Sequence, residues 1–185
     1  LNFEEKVEKT EPIFHGHIMD VERETVQLPD GQTATREIVR HAPAIGILAL
    51  TTDNRMILER QWRAPIGQTT LEIPAGKLDA RDKNDRDSAE HAAIRELNEE
   101  VRLQPGHLER LYGFYSSVGF SDEYMTLYLA TELTPVTTEL PRDKGENLEV
   151  LTPTLDEALQ LIENGQIEDA KTIMAIQYWQ LMTKK

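Results

Sequence analysis

One stretch of this chain has to form a helix, and that helix has to dock on one side. Between Ser88 and Val101, the residues Ala89, Ala93, Leu97 and Val101 recur every four positions and lay a narrow apolar stripe along a helix. Away from the stripe, Glu96 faces Glu99 and Glu100 at spacings of three and four, so three carboxylates crowd one side. Like charges at these spacings each cost an isolated helix about 0.2 to 0.5 kcal/mol, and within the helix only Arg95, four before Glu99, opposes them. A scaffold that holds acids together against their repulsion suits a cation. Hard divalent ions take oxygen ligands, and Mg2+ is usually held by a few carboxylates while substrate phosphates complete its shell. A solvated acidic helix is the other reading that the spacing allows. The run Asp87-Ser88-Ala89-Glu90 reads as a capping box that starts the helix, and the glycine-led loop Gly76-Lys77-Leu78-Asp79 precedes it.

Gly76 followed by Arg95-Glu96-Leu97-x-Glu99-Glu100 resembles the Nudix box, G-x5-E-x7-R-E-U-x-E-E-x-G-U with U aliphatic. Two departures stand out. Counting back from Arg95, the first Glu of the box falls on Asp87 and its leading Gly is expected five residues after Gly76, so the loop carries an insertion between Ala80 and Arg86. The last Gly of the box is Arg102. Neither change touches the helix carboxylates, so both are expected to alter the loop and the helix exit and to leave the chemistry alone.

Other segments are similar to the ADP-ribose pyrophosphatase branch of that family. These are Gln61-Trp62-Arg63, Leu71-Glu72-Ile73-Pro74-Ala75-Gly76-Lys77-Leu78-Asp79 and Arg36-Glu37-Ile38-Val39-x-His41. Ser117-Val118-Gly119-Phe120-Ser121-Asp122-Glu123 matches the branch's S-P-G-F-S-D-E loop with Val118 in place of Pro. The resemblance implies an α/β (α+β) fold, a Nudix α/β/α sandwich with a mixed sheet over residues 43–185. A small N-terminal antiparallel β domain, residues 1–42, precedes it. In this branch that region is usually exchanged across a homodimer, so Arg36 and Glu37 are expected to serve the partner's site.

The rest of the sequence narrows the partners. At 185 residues and 39% hydrophobic the chain can bury a sizeable core. A net charge of −13 disfavours nucleic acid or an anionic membrane, and makes an anionic substrate depend on cations at the site. With no cysteine, disulfides, thiolate zinc sites and cysteine nucleophiles are excluded. No apolar run approaches the roughly 20 residues of a membrane span, and the start lacks a signal-peptide pattern, so the expected location is the cytoplasm.

Patterning sketches the remaining elements. Alternation from Ile13 to Arg40 around Pro29-Asp30-Gly31 predicts a hairpin or short antiparallel sheet, and Ala44 to Leu50 a buried strand. In the next strand Met56, Leu58 and Trp62 share one face, opposite Glu59, Gln61 and Arg63; Leu71 and Ile73 flank Glu72 likewise. Strands are predicted over Leu108 to Ser116 and Glu123 to Ala130, the latter setting Met125, Leu127 and Leu129 against Tyr124, Thr126 and Tyr128. Thr154-x-x-Glu157 is a capping box for a helix that exits at Gly165. The final helix is apolar around most of its circumference, from Ile173 to Met182, which predicts burial on more than one side.

The resemblance also implies roles. Glu96 and Glu100 are the primary Mg2+ ligands, with Mn2+ as a substitute; Glu99 assists and the Ala75 carbonyl joins them. Arg95 belongs with Glu99 among the catalytic groups. A base is sought in the polar loop Arg142 to Glu149, where Glu146 stands first, as base or extra metal ligand, and Glu149 second. Glu72 contacts metal or substrate, or is a surface-facing strand residue. Arg63 binds phosphate, or forms a salt bridge with Glu59 or Glu72. Glu123 accepts hydrogen bonds from a terminal ribose, and Phe120 lines the pocket. His15 and His17 share a strand face without further ligands and read as surface residues. The implied reaction is Mg2+-dependent hydrolysis of ADP-ribose to AMP and ribose 5-phosphate by an activated water. A nucleotide sugar such as GDP-mannose or UDP-glucose is the alternative substrate, and a non-catalytic ligand-binding regulator the alternative class.

Overall fold

The alternating segment around Pro29-Asp30-Gly31 forms the centre of a three-stranded antiparallel sheet. Its strands are β1 (Lys6–His15), β2 (Met19–Gln27) and β3 (Thr33–His41), in that order. The β2–β3 register runs unbroken from Met19 opposite His41 to Gln27 opposite Thr33. The turn closes with Leu28 N donating to Gln32 O at 2.8 Å, and Gly31 takes a φ of 86°, which a glycine adopts without strain. β1 begins well before Ile13, where the alternation starts. Its first half is exposed, so it carries no period-two apolar signal to read.

The computed structural model describes residues 2–78, 88–142, 145 and 147–184. They divide into two compact units. One comprises the chain up to Pro43 together with Gly113–Met125; the other comprises Ala44–Tyr112 and Thr126–Lys185.

The second unit is built around β4 (Ala44–Ala49), buried along its whole length. It sits in a sheet ordered β7-β4-β10-β9, with β7 at Ala75–Lys77, β9 at His107–Tyr115 and β10 at Tyr124–Thr131. A further antiparallel sheet is ordered β12-β5-β6, from β5 (Leu58–Arg63), β6 (Gln68–Glu72) and β12 (Glu149–Leu151). β8 (Leu103–Gln104), directly after α1 (Ser88–Val101), pairs with the later β11 (Thr134–Pro135); α2 (Leu155–Glu163) and α3 (Ala170–Thr183) follow. Ala92, Ala93 and Leu97 of α1 pack with Ile45, Ile47, Ala49, Ile57, Tyr128 and Ala130, and Ala89 and Val101 close the edges of that core. The stripe therefore docks as its spacing requires. Asp87, the expected cap, lies outside the described residues.

Burial decides what the strand faces leave open, and it overturns the surface-facing alternative for Glu72. Trp62 is 63% exposed, whereas Glu59 is fully buried. Glu72 is not surface-facing: Leu71, Glu72 and Ile73 are all buried. In β10 every residue from Met125 to Ala130 is buried, Thr126 included. Alternation identifies which side chains share a face. It does not tell whether a second layer covers the other face, and here one does.

The helices follow their caps. Thr154 and Glu157 complete the capping box of α2, and Gly165, just past the Asn164 cap, has a φ of 68°. Asp169 caps α3 by accepting from Thr172 N. In α3, Thr172, Ala175, Ile176 and Trp179 are buried while Leu181 is 64% exposed, so its apolar surface is covered unevenly. Among the described residues no helix is long and apolar enough to cross a membrane.

Candidate active site

The three acids of α1 face a strand that makes room for them. Pairing of β7 with β4, Ile45 opposite Gly76 and Gly46 opposite Ala75, fixes the Ala75–Gly76 segment. Glu100 Oε2 accepts from Ala75 N at 3.2 Å. Glu96 lies directly over Gly76: a Cβ there would stand 1.9 Å from Glu96 Oε1. The glycine that leads the motif is thus an opening for a carboxylate. Arg95 Nη1 donates to Glu96 Oε1 and to Glu99 Oε2, each at 2.8 Å, and its Nη2 donates to Lys77 O at 3.3 Å.

All three glutamates are buried. Burying carboxylates is expensive unless cations or hydrogen bonds compensate. As a donor set, three carboxylates beside a backbone carbonyl suit a hard divalent cation, Mg2+ or Mn2+. The opening at Gly76 brings one of them against the strand that bears that carbonyl. In the arrangement described, Arg95 bridges Glu96 and Glu99 while Glu100 bonds Ala75 N. Among the described residues no group of three or more acidic or histidine side chains converges closely enough to chelate an ion by itself. Glu146 lies outside the described residues. Glu149 is on β12, bonded to Arg60 at 2.8 Å.

A second ion network occupies the β5–β6 hairpin. Arg63 Nε and Nη2 donate to Glu72 Oε1 and Oε2 at 2.6 and 2.7 Å, a two-pronged bond, so the salt-bridge reading of Arg63 is realised with Glu72. Thr70 Oγ1 donates to Oε1 and Lys171 Nζ to Oε2. Burial alone would push the Glu72 carboxyl up; the bonds from Arg63, Lys171 and Thr70 outweigh it and hold it at about 2. Arg63 is raised in turn by its bond to Glu72. Its side chain stays 41% exposed.

The remaining candidates belong to the first unit. Val39 N donates to Phe120 O at 2.7 Å and Asp122 N to Val39 O at 3.2 Å, which ties the 117–122 loop to β3. Arg36, Glu37 and Phe120 then line one cleft of about 470 Å³, with Arg40 and Asp122 among its walls. Arg36 is held through Nε by Glu5 at 2.8 Å, and Glu37 lies 3.5 Å from Arg23. Glu123 accepts from Ser116 Oγ and sits 3.3 Å from His41 Nδ1. His15 pairs with Asp20 on an exposed edge.

Sequence reasoning missed Asp169, Lys171 and Thr172 at the start of α3. Lys171 Nζ also lies 3.0 Å from Asp169, and Thr172 Oγ1 accepts from Ile73 N at 2.9 Å. An Asp before an apolar helical run is a start signal that was there to find. Also missed was the use of the odd Arg102. It takes a φ of 62°, and its Nη1 donates to Asn98 O and Leu140 O, while Asn98 Nδ2 and Oδ1 bond Thr138 O and Leu140 N.

Comparison with known proteins bears on this geometry. The NUDIX domain pattern matches residues 40–176, and the nucleoside diphosphate sugar hydrolase N-terminal domain matches residues 5–39. Over 180 residues the chain is 41% identical to the ADP-ribose pyrophosphatase of Bacillus subtilis (strain 168), spanning 97% of this chain and 95% of that protein. It is also 41% identical to the methanol dehydrogenase activator of Bacillus methanolicus, across 97% and 94% of the two chains. A crystal structure of an ADP compounds hydrolase shares the fold, with a TM-score of 0.86 at 21% identity over 100% of this chain and 97% of that one.

Proposed function

This chain belongs to the Nudix hydrolase family, and on that footing we propose that it cleaves the pyrophosphate bond of ADP-ribose to AMP and ribose 5-phosphate with Mg2+ or Mn2+. The observation that carries the reading is the trio Glu96, Glu99 and Glu100, buried together on one helix against the Ala75–Gly76 strand. The three carboxylates and the Ala75 carbonyl would hold the cation, which when bound would neutralise the pyrophosphate oxygens and acidify a water. Water attacks one phosphorus, the bridging P–O bond breaks, and each phosphate leaves as a monoester.

The chain's own groups do the rest. Arg95 keeps Glu96 and Glu99 in place. The exposed side of Arg63 takes a phosphate oxygen, and Glu72 orients that arginine. Glu146, with Glu149 second, takes the proton of the attacking water. Phe120 stacks against the nucleoside and Glu123 accepts from the terminal ribose. Arg36 and Glu37 serve the partner in a homodimer with exchanged N-terminal regions. The protein works in the cytoplasm and needs neither nucleic acid nor membrane.

The test is to incubate the protein with Mg2+ and ADP-ribose, NAD, GDP-mannose or UDP-glucose in turn and identify the phosphorylated products. AMP and ribose 5-phosphate from ADP-ribose alone support the proposal; cleavage of a different compound alone moves the same chemistry to that substrate. Equal identity to the methanol dehydrogenase activator favours a second reading, a regulator of another enzyme. Binding without cleavage in either metal would select it.

A further inference from the structure

Glu72 has two cations, and they differ in kind. Lys171 is largely covered, its side chain 10% exposed, and is paired with both Glu72 and Asp169. Arg63 is 41% exposed and reaches Glu72 with only Nε and Nη2. Among the described residues no other carboxylate pairs with Arg63. Two lysine or arginine charges and the two acids Glu72 and Asp169 balance, so the cluster is neutral as it stands.

That balance decides what Arg63 can do for an anion. A buried carboxylate whose only counter-ion is drawn toward a ligand is left with an uncompensated charge, and the ligand bears that cost. We propose that Lys171 is a positioning residue, the standing counter-ion of Glu72, which leaves Arg63 free to be shared with a phosphate oxygen of the substrate. The proposal rests on the pyrophosphatase reading given above. Lys171 is suited to the part because it cannot wander. Its helical turn is capped by Asp169, and the neighbouring Thr172 accepts from Ile73 N, one residue beyond Glu72. The same turn of α3 thereby fixes both the carboxylate and the strand exit that leads to Ala75. The low-lying carboxyl of Glu72 agrees with a permanent cation at its side.

The test is a double-mutant cycle on the full chain, reading KM and kcat for ADP-ribose and, independent of any turnover, the Kd for ADP. Lys171→Met should raise KM and Kd by about tenfold or more, the size of one charge-assisted hydrogen bond, with kcat within about threefold. Lys171→Arg should restore both constants to within about threefold of the unaltered protein. In a Glu72→Gln background there is no buried charge to hold, so adding Lys171→Met should change Kd by no more than about twofold. Should Lys171→Met alone fail to fold, the pair Glu72→Gln and Glu72→Gln/Lys171→Met still decides. An equal loss of affinity in both backgrounds, or none in either, overturns the role of Lys171. Absence of turnover by the unaltered protein counts against the pyrophosphatase reading, and the ADP measurement then stands by itself.

Discussion

Two buried acidic sites of the second unit, the α1 trio and Glu72, meet the same electrostatic problem differently. Glu72 is surrounded by its own donors: two cations and a hydroxyl saturate both oxygens. In α1 one guanidinium is divided between Glu96 and Glu99, and Glu100 bonds a backbone N–H. A carboxylate with side-chain cations built around it is a structural joint. The α1 carboxylates instead stand together on one helix face over a strand opened by Gly76, the kind of donor set a hard ion from solution takes.

If that contrast holds, Glu100→Gln should cut turnover about a hundredfold or more, since it removes a metal ligand, yet leave the fold and melting temperature close to normal. Near-normal turnover would erase the distinction. Glu72→Gln should instead lower stability and, through Arg63, weaken substrate binding, with a far smaller loss of kcat. The Glu72 carboxyl drops from 4.5 to about 2 on folding, so its contribution is fully present above pH 4.5 and disappears as pH falls through about 2. The size is about 3 kcal/mol for a buried group shifted this far. Denaturant midpoints measured from pH 6 to pH 2 should fall more gently in the variant, and equal slopes would refute the assignment.

Gly76→Ala probes the trio from the strand side. The new methyl meets Glu96 Oε1 at 1.9 Å, so the glutamate must swing away, at about 1 to 3 kcal/mol of strain and with weaker metal binding by calorimetry. Unchanged metal affinity would show that Glu96 is no ligand. The smallest effect is expected at Arg102, whose φ of 62° an alanine would find strained and a glycine would not. Arg102→Gly and Arg102→Ala lose the same bonds to Asn98 and Leu140, so the glycine variant should be more stable by about 1 kcal/mol in urea melts.

Legibility in the sequence followed range. The stripe and acids of α1, the Thr154–Glu157 capping box and the turn at Pro29-Asp30-Gly31 are patterns within a few residues, and each could be read directly. The identity of what covers a strand is not local. Glu59 and Glu72 lie opposite apolar neighbours along their strands, yet both are buried, and for Glu72 part of the cover is Lys171 from α3. Lys171 looked like an ordinary lysine in the first turn of a helix; its partner lies 99 residues earlier. Arg36 has its mate in Glu5, which directly precedes β1, a strand too exposed to leave an alternating trace. Arg102 could be recognised as a departure from the family pattern, but its anchoring of the 138–140 segment depends on backbone carbonyls, which have no letter in a sequence.

The bond from Ile73 N to Thr172 Oγ1 has a consequence for biosynthesis. A nascent chain that has emerged only as far as α2 already carries every glutamate of the trio. It lacks the clamp that secures the strand leading to them. In order of synthesis the trio and the Ala75–Gly76 strand come first, and the turn at residues 169–172 arrives last to anchor Ile73 and brace Glu72.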